Sequence, residues 1–175
     1  MCTRDSDPAL LRGPSTSPLD VVPSPADTAL AAFIYAAFSS APKPKRDVIT
    51  PHRCPECDDI TARLAPYEAA HVPDAEMHRL GQGLAFLGPE AFRHYLPRFI
   101  EFSMAYPDSD AARYIVYNLV PSADLDVGPR NRFLFFSTEE RKALRKFIEH
   151  LGSSEDPYLD EKAVKQALEA SAHDV

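Results

Sequence analysis

The sequence has no tryptophan, six glycines and only three cysteines among its 175 residues. So few glycines leave little room for a phosphate-binding loop, and no glycine-rich motif of that kind occurs. Three cysteines do not make a disulfide framework, so we expect a reducing cytoplasmic environment. No apolar run approaches the roughly 20 residues that cross a bilayer, and the N-terminus lacks the basic and apolar regions of a secretory signal.

Positive charge is also scarce, since 19 Lys and Arg residues stand against 26 Asp and Glu residues and the net charge is −7. Nucleic-acid binding needs concentrated Lys and Arg to neutralise phosphates, and anionic membrane surfaces attract the same residues. We therefore predict neither nucleic acid nor membrane as a partner. An acidic surface favours a protein partner with a basic surface, while the sequence does not predict an oligomeric state.

Proline is the abundant residue, with 17 in the chain. Residues 1–23 contain four of them among Ser and Thr, a composition that predicts a disordered leader. The ordered part begins at Ser24, because S-P-A-D provides an N-cap, a proline in the first turn and Asp27 for a reciprocal cap. We predict one helical domain over residues 24–171.

Apolar residues recur at helical spacing in several segments along this domain. They predict a mainly α fold, a compact bundle of five or six amphipathic helices with at most one short strand, at 132–137. An S-x-x-E box at Ser137 predicts a helix start, and Gly152 is placed to cap that helix. Pro97 predicts a kink or a break inside the strongest helical segment, and a last helix is expected over 157–171.

One cluster suggests chemistry, the stretch PHRCPECDDI at residues 51–60. It places three metal-binding residues within six positions: His52, Cys54 and Cys57. Zinc favours thiolate and imidazole ligands, usually four in a structural site, and His71 or His78 is the candidate fourth ligand. The gap between those two histidines is longer than in a zinc finger, and a single C-x-x-C is weak evidence.

Two other interpretations use the same residues. At a helix N-terminus the helix dipole stabilises a thiolate, so CPEC has the local form of a thiol–disulfide redox motif, although no βαβ pattern follows it. Alternatively, Cys54 caps the helix, Cys57 faces the core and His52 lies in the preceding loop. We favour this last interpretation, which requires no cofactor.

Three segments of the chain resemble an uncharacterised bacterial domain family with H-x-C-x-E-C, PEAFRYYLP and F-S/T-x-E-Q/E-R segments. The matching stretches here are PHRCPECDDI, LGPEAFRHYLPRFI and RNRFLFFSTEERKALRKFIEHL. The resemblance covers about residues 48–152 and implies that the three segments belong to one fold. It carries no assigned activity, so it implies no catalytic residues.

The sequence contains neither an H-E-x-x-H motif nor a G-x-S-x-G elbow, and no carboxylates are paired convincingly for acid–base work. We therefore favour a non-enzymatic interaction protein, such as an antitoxin- or immunity-like inhibitor or an adaptor, that acts through an acidic surface. The first candidate contact is the stretch at residues 56–76. The alternatives are a small zinc-binding domain that uses His52, Cys54 and Cys57, and a thiol–disulfide redox protein that acts through Cys54 and Cys57.

Overall fold

The computed structural model describes residues 24–121, 132–153 and 159–172, and the predicted leader lies outside them. This part of the chain contains seven α-helices and no strand, which confirms the mainly α prediction with a higher helix count. No helix in it has both the length and the hydropathy needed to cross a bilayer. The helices are α1 (Pro25–Ala37), α2 (Pro55–Leu64), α3 (Asp74–Leu80), α4 (Pro89–Ala105), α5 (Ala111–Leu119), α6 (Thr138–Gly152) and α7 (Glu161–Ala172).

Helix α4 lies at the centre of the domain and packs against α1, α3 and α5. Eleven of its 17 residues are buried, so partners surround it on most sides. The predicted break at Pro97 is absent, because α4 continues through this residue. Proline removes one backbone donor, but both neighbours of Pro97, Leu96 and Arg98, are buried in tertiary contacts that hold the helix in place.

The two predicted helix starts are confirmed by reciprocal caps. At α1, the Ser24 hydroxyl accepts a hydrogen bond from the Asp27 N–H at 3.1 Å, and the Asp27 carboxylate accepts one from the Ser24 N–H at 3.2 Å. At α6, the Glu140 N–H donates to the Ser137 hydroxyl and the Ser137 N–H donates back to the Glu140 carboxylate. Each box satisfies two backbone donors that a helix start leaves without partners.

The segment predicted as a possible strand forms a 3-10 helix, Arg132–Phe135. Phe133 and Phe136 are buried, whereas Leu134 and Phe135 are exposed. Inward-facing residues therefore recur at a spacing of three, which suits a 3-10 turn and does not suit the alternation of a strand.

The ends of the last two helices differ from the sequence prediction. Gly152 is the final residue of α6 and does not cap it, since Ser153 is the C-cap and has right-handed backbone angles. The Ser153 hydroxyl donates to the His150 carbonyl at 2.7 Å, which satisfies a helix-end acceptor without a left-handed glycine. Helix α7 begins at Glu161, and the predicted start at residue 157 lies outside the described residues.

Candidate metal centre

Cys54 is positioned by the start of α2. Its backbone is extended, with φ −156° and ψ 163°, and Pro55 follows in the first helical turn. The Cys54 sulfur accepts a hydrogen bond from the Cys57 N–H at 3.4 Å. The predicted capping role of Cys54 is therefore confirmed, and its sulfur is held over the first turn of α2.

Cys57 lies on the inward face of α2, one turn before Ile60, and is 0% exposed. The Thr50 hydroxyl donates to the Cys57 carbonyl at 3.2 Å and is hydrogen-bonded to the Thr61 hydroxyl at 2.9 Å. These contacts fix the segment before α2 against the helix. Sequence reasoning missed Thr50, because its partner Thr61 is 11 positions away and no local motif joins them.

His52 brings a third donor atom to the two sulfurs. Its side chain is exposed in the bend before α2, as expected for a loop residue. Its Nδ1 nevertheless lies 3.9 Å from the Cys57 sulfur, and one donor atom from each of His52, Cys54 and Cys57 lies within 4.8 Å of the others. Both cysteines are free thiols.

The two thiols differ in electrostatic environment. Hydrogen bonds from the Cys57 backbone and side chain, and then from His52, lower the pKa of Cys54. Burial raises the pKa of Cys57, and the neighbouring Cys54 adds to that effect. The half-buried sulfur at the helix start is therefore the better thiolate of the pair.

The geometry of the group fits a tetrahedral metal ion. Zinc–sulfur and zinc–nitrogen bond lengths place the ligand atoms of such a site about 3.5–3.8 Å apart. The 3.9 Å separation of the His52 Nδ1 and the Cys57 sulfur is close to this value, and the donor atoms of the whole group lie within 4.8 Å of one another. Two sulfurs and one imidazole form a donor set that suits zinc.

The group contains neither of the two histidines considered as a fourth ligand. His78 packs its ring against Phe102 and Tyr106, each with a centroid distance of 4.8 Å. His71 is exposed at the end of the 3-10 turn Ala69–His71. Within the described residues, the group is the one place where three or more His, Cys, Asp or Glu side chains converge in this way.

A cavity of about 400 Å³ lies beside the start of α2. Two arginines, two aspartates and two threonines line it: Arg46, Asp47, Thr50, Arg53, Asp58 and Thr61. The opposite charges balance, so this lining favours neither a cation nor an anion.

No curated protein and no solved structure matches the chain. A family model does match it, over residues 54–171, which span α2 to α7 and include Cys54 and Cys57. The match starts two residues after His52 and, unlike the sequence resemblance, extends through the last helix. The chain thus belongs to the family described as a family of unknown function (DUF6714).

Proposed function

We propose that this domain binds a zinc ion through His52, Cys54 and Cys57. The observation that carries the proposal is the convergence of the three donor atoms within 4.8 Å. Two of the residues already have fixed positions, since Cys54 caps α2 and Cys57 is buried in its first turn. Such preorganisation reduces the conformational entropy that ligand side chains lose on binding a metal.

Three protein ligands leave a fourth coordination position open. His52 is exposed and Cys54 is half-buried, so a bound ion would be accessible to water or to a group from a bound molecule. The bound ion would cross-link the bend before α2 to the helix itself. This arrangement supports a zinc-stabilised surface.

Zinc content tests the proposal directly. Protein purified without added metal is expected to contain one zinc per chain by elemental analysis. His52→Ala, Cys54→Ser and Cys57→Ser should each lower that content sharply, because each removes a ligand, whereas the control His71→Ala should keep it. A zinc content well below one per chain in the wild type, also after incubation with zinc and desalting, would contradict the proposal.

Thermal stability provides an independent measurement. Zinc at about 100 times its dissociation constant should stabilise the fold by about 2.7 kcal/mol, which raises Tm by about 5–10 °C. A strong chelator should reverse the shift in the wild type and leave the Tm of Cys57→Ser unchanged. An unchanged wild-type Tm on adding and removing zinc would exclude a stabilising site.

A thiol–disulfide function is a second proposal, supported by the difference in exposure between half-buried Cys54 and fully buried Cys57. In such a reaction the Cys54 thiolate attacks a substrate disulfide and forms a mixed disulfide. Cys57 then displaces the substrate as a thiol, so two electrons pass to the substrate and a Cys54–Cys57 disulfide remains. His52→Ala separates the two proposals, because it removes a metal ligand and leaves both thiols. Loss of zinc with insulin reduction that persists, lowered only because Cys54 loses the His52 hydrogen bond that favours its thiolate, would favour the redox function.

The wider role that the sequence favours, a non-enzymatic interaction with a basic partner, is also a proposal. Four of the six carboxylates at residues 56–76 already have basic partners within the domain: Asp59, Glu68, Asp74 and Glu76. Glu56 and Asp58 are exposed and have no ion pair within the described residues, so they provide the unneutralised charge of this stretch.

The interaction proposal predicts that Glu56→Gln with Asp58→Asn reduces capture of a host protein in a low-salt pull-down. Both residues adjoin the proposed zinc ligands, so the zinc content of the double variant should be measured alongside. The double variant Glu149→Gln, Glu161→Gln is the control, since it changes net charge equally at other helices. Equal capture by wild type and both variants would contradict a role for this surface.

A further inference from the structure

A second cavity, of about 600 Å³, lies between α1 and the C-terminal half of α4, far in sequence from the cysteines. The 3-10 turn before α3 and the start of α3 close its third side through Ala70 and Asp74. Small side chains leave the space, and the aliphatic part of the wall consists of Ala31, Ala32, Ala70, Met104 and Ala105. Its volume is within the range of small-molecule sites.

Two carboxylates on this wall are held in fixed orientations. Glu101 accepts hydrogen bonds on Oε2 from the Tyr35 hydroxyl at 2.9 Å and from Arg98 at 3.0 Å. Asp74 accepts one from the Tyr106 hydroxyl at 2.7 Å and another from Arg98. Burial, together with the Glu101 carboxylate, raises the pKa of Tyr35, so its hydroxyl stays a donor at neutral pH.

Arg98 is a poor anion site in this cavity, because each of its three nitrogens already donates to an acceptor of the domain. Its Nε donates to the Val72 carbonyl at 2.9 Å, and its two terminal nitrogens bind Asp74 and Glu101. Its side chain is only 10% exposed. Asp27 adds a third carboxylate, which also caps α1 and lies 3.1 Å from Nε2 of His150. The cavity wall itself carries three acidic side chains and one arginine.

We infer that this cavity binds an organic cation, a guanidinium or primary ammonium group on a short aliphatic chain. The charged group has an available acceptor, because Oε1 of Glu101 makes no hydrogen bond within the described residues while its Oε2 is held by two donors. The aliphatic chain fits against the alanines and Met104. A site with an apolar wall and a few oriented charged groups is the usual form of a small-ligand site.

Calorimetric titration with agmatine at low salt tests the inference. We expect saturable binding to the wild type and about fivefold weaker binding to Glu101→Gln, which is the effect of one half-exposed charge contact. Ala31→Leu should also weaken binding, because it fills the cavity without changing charge. Glu149→Gln is the matched control: it removes the same charge from an exposed pair on α6 and should bind like the wild type.

A second titration, with a short blocked peptide that contains one arginine, identifies the source of the cation. Peptide binding that the same two variants weaken assigns the cavity to a partner's side chain, whereas binding of agmatine alone assigns it to a free amine. Ala31→Leu keeps the test valid if circular dichroism shows that Glu101→Gln is unfolded. Absence of binding by both probes, or equal weak binding by all four proteins, would overturn the inference. Neither titration depends on bound zinc, so this inference and the zinc-binding proposal can be refuted independently of each other.

Discussion

Replacing Glu140 with alanine is expected to lower the free energy of unfolding by about 3–5 kcal/mol. The Glu140 side chain is 0% exposed and serves two elements at once. One oxygen accepts a hydrogen bond from the Arg93 side chain on α4 at 2.8 Å, and the other accepts one from the Ser137 N–H at 2.7 Å. Alanine would leave a partly buried guanidinium without its carboxylate and a helix-start donor without its cap.

Urea unfolding at pH 7, with a calorimetric Tm, measures this effect. A loss of this size corresponds to a Tm lowered by about 6–20 °C for a domain of this length. Glu140→Gln should be intermediate, because it keeps an acceptor and removes the charge. The control is Glu139→Ala, an exposed neighbour in the same helical turn, which should change stability by no more than about 0.5 kcal/mol. Similar losses in both alanine variants would show that acidic charge in the first turn of α6, and not the specific contacts of Glu140, carries the effect.

The two contacts of Glu140 show which kind of interaction can be predicted from the sequence and which kind cannot. Its capping role was predictable, because Ser137 and Glu140 are three positions apart and the chemistry of the box is local. Its pairing with Arg93 was not, because the two residues are 47 positions apart. The same holds for Pro97: its local effect predicts a break, but the tertiary packing of α4 decides the outcome.

The candidate metal centre was partly predictable for the same reason. Cys54 as a cap and Cys57 as a buried residue follow from helical spacing after Pro55, and His52 is close enough in sequence to reach them. The fourth ligand could not be settled from the sequence, because it depends on where α3 lies. In the structure the ring of His78 contacts aromatic residues at the C-terminal end of α4.

The cavity between α1 and α4 gave no sequence signal. Its wall combines α1, α4 and the start of α3, and the contact between Tyr35 and Glu101 joins residues 66 positions apart. In the sequence Ala31 and Ala32 belong to an ordinary apolar stripe, and Glu101 is an ordinary helix carboxylate. Only the packing of the helices shows that the alanines leave space and that the carboxylates are oriented towards it.

Replacing Arg98 with methionine is expected to lower the free energy of unfolding by about 2–4 kcal/mol at pH 7. Methionine keeps most of the aliphatic length but leaves the carbonyl of buried Val72 without its donor. It also removes the shared partner of Asp74 and Glu101, which are half-exposed and regain water contacts. That solvation makes the loss smaller than for Glu140.

The loss should depend on pH with a defined sign. Burial acts to raise the pKa of Asp74, but hydrogen bonds from Tyr106 and Arg98 outweigh it and lower the pKa below its usual value. Stabilisation by such a carboxylate is complete above the pKa of the unfolded chain and is lost as pH falls through the folded pKa. The difference between wild type and Arg98→Met should therefore shrink from pH 7 to about pH 3, as measured by urea unfolding at both values. The control Arg145→Met, at an exposed pair on α6, should change stability by no more than about 0.5 kcal/mol at either pH. A difference between Arg98→Met and wild type that stays constant across this range would assign the effect of Arg98 to packing and to Val72 instead of the carboxylates.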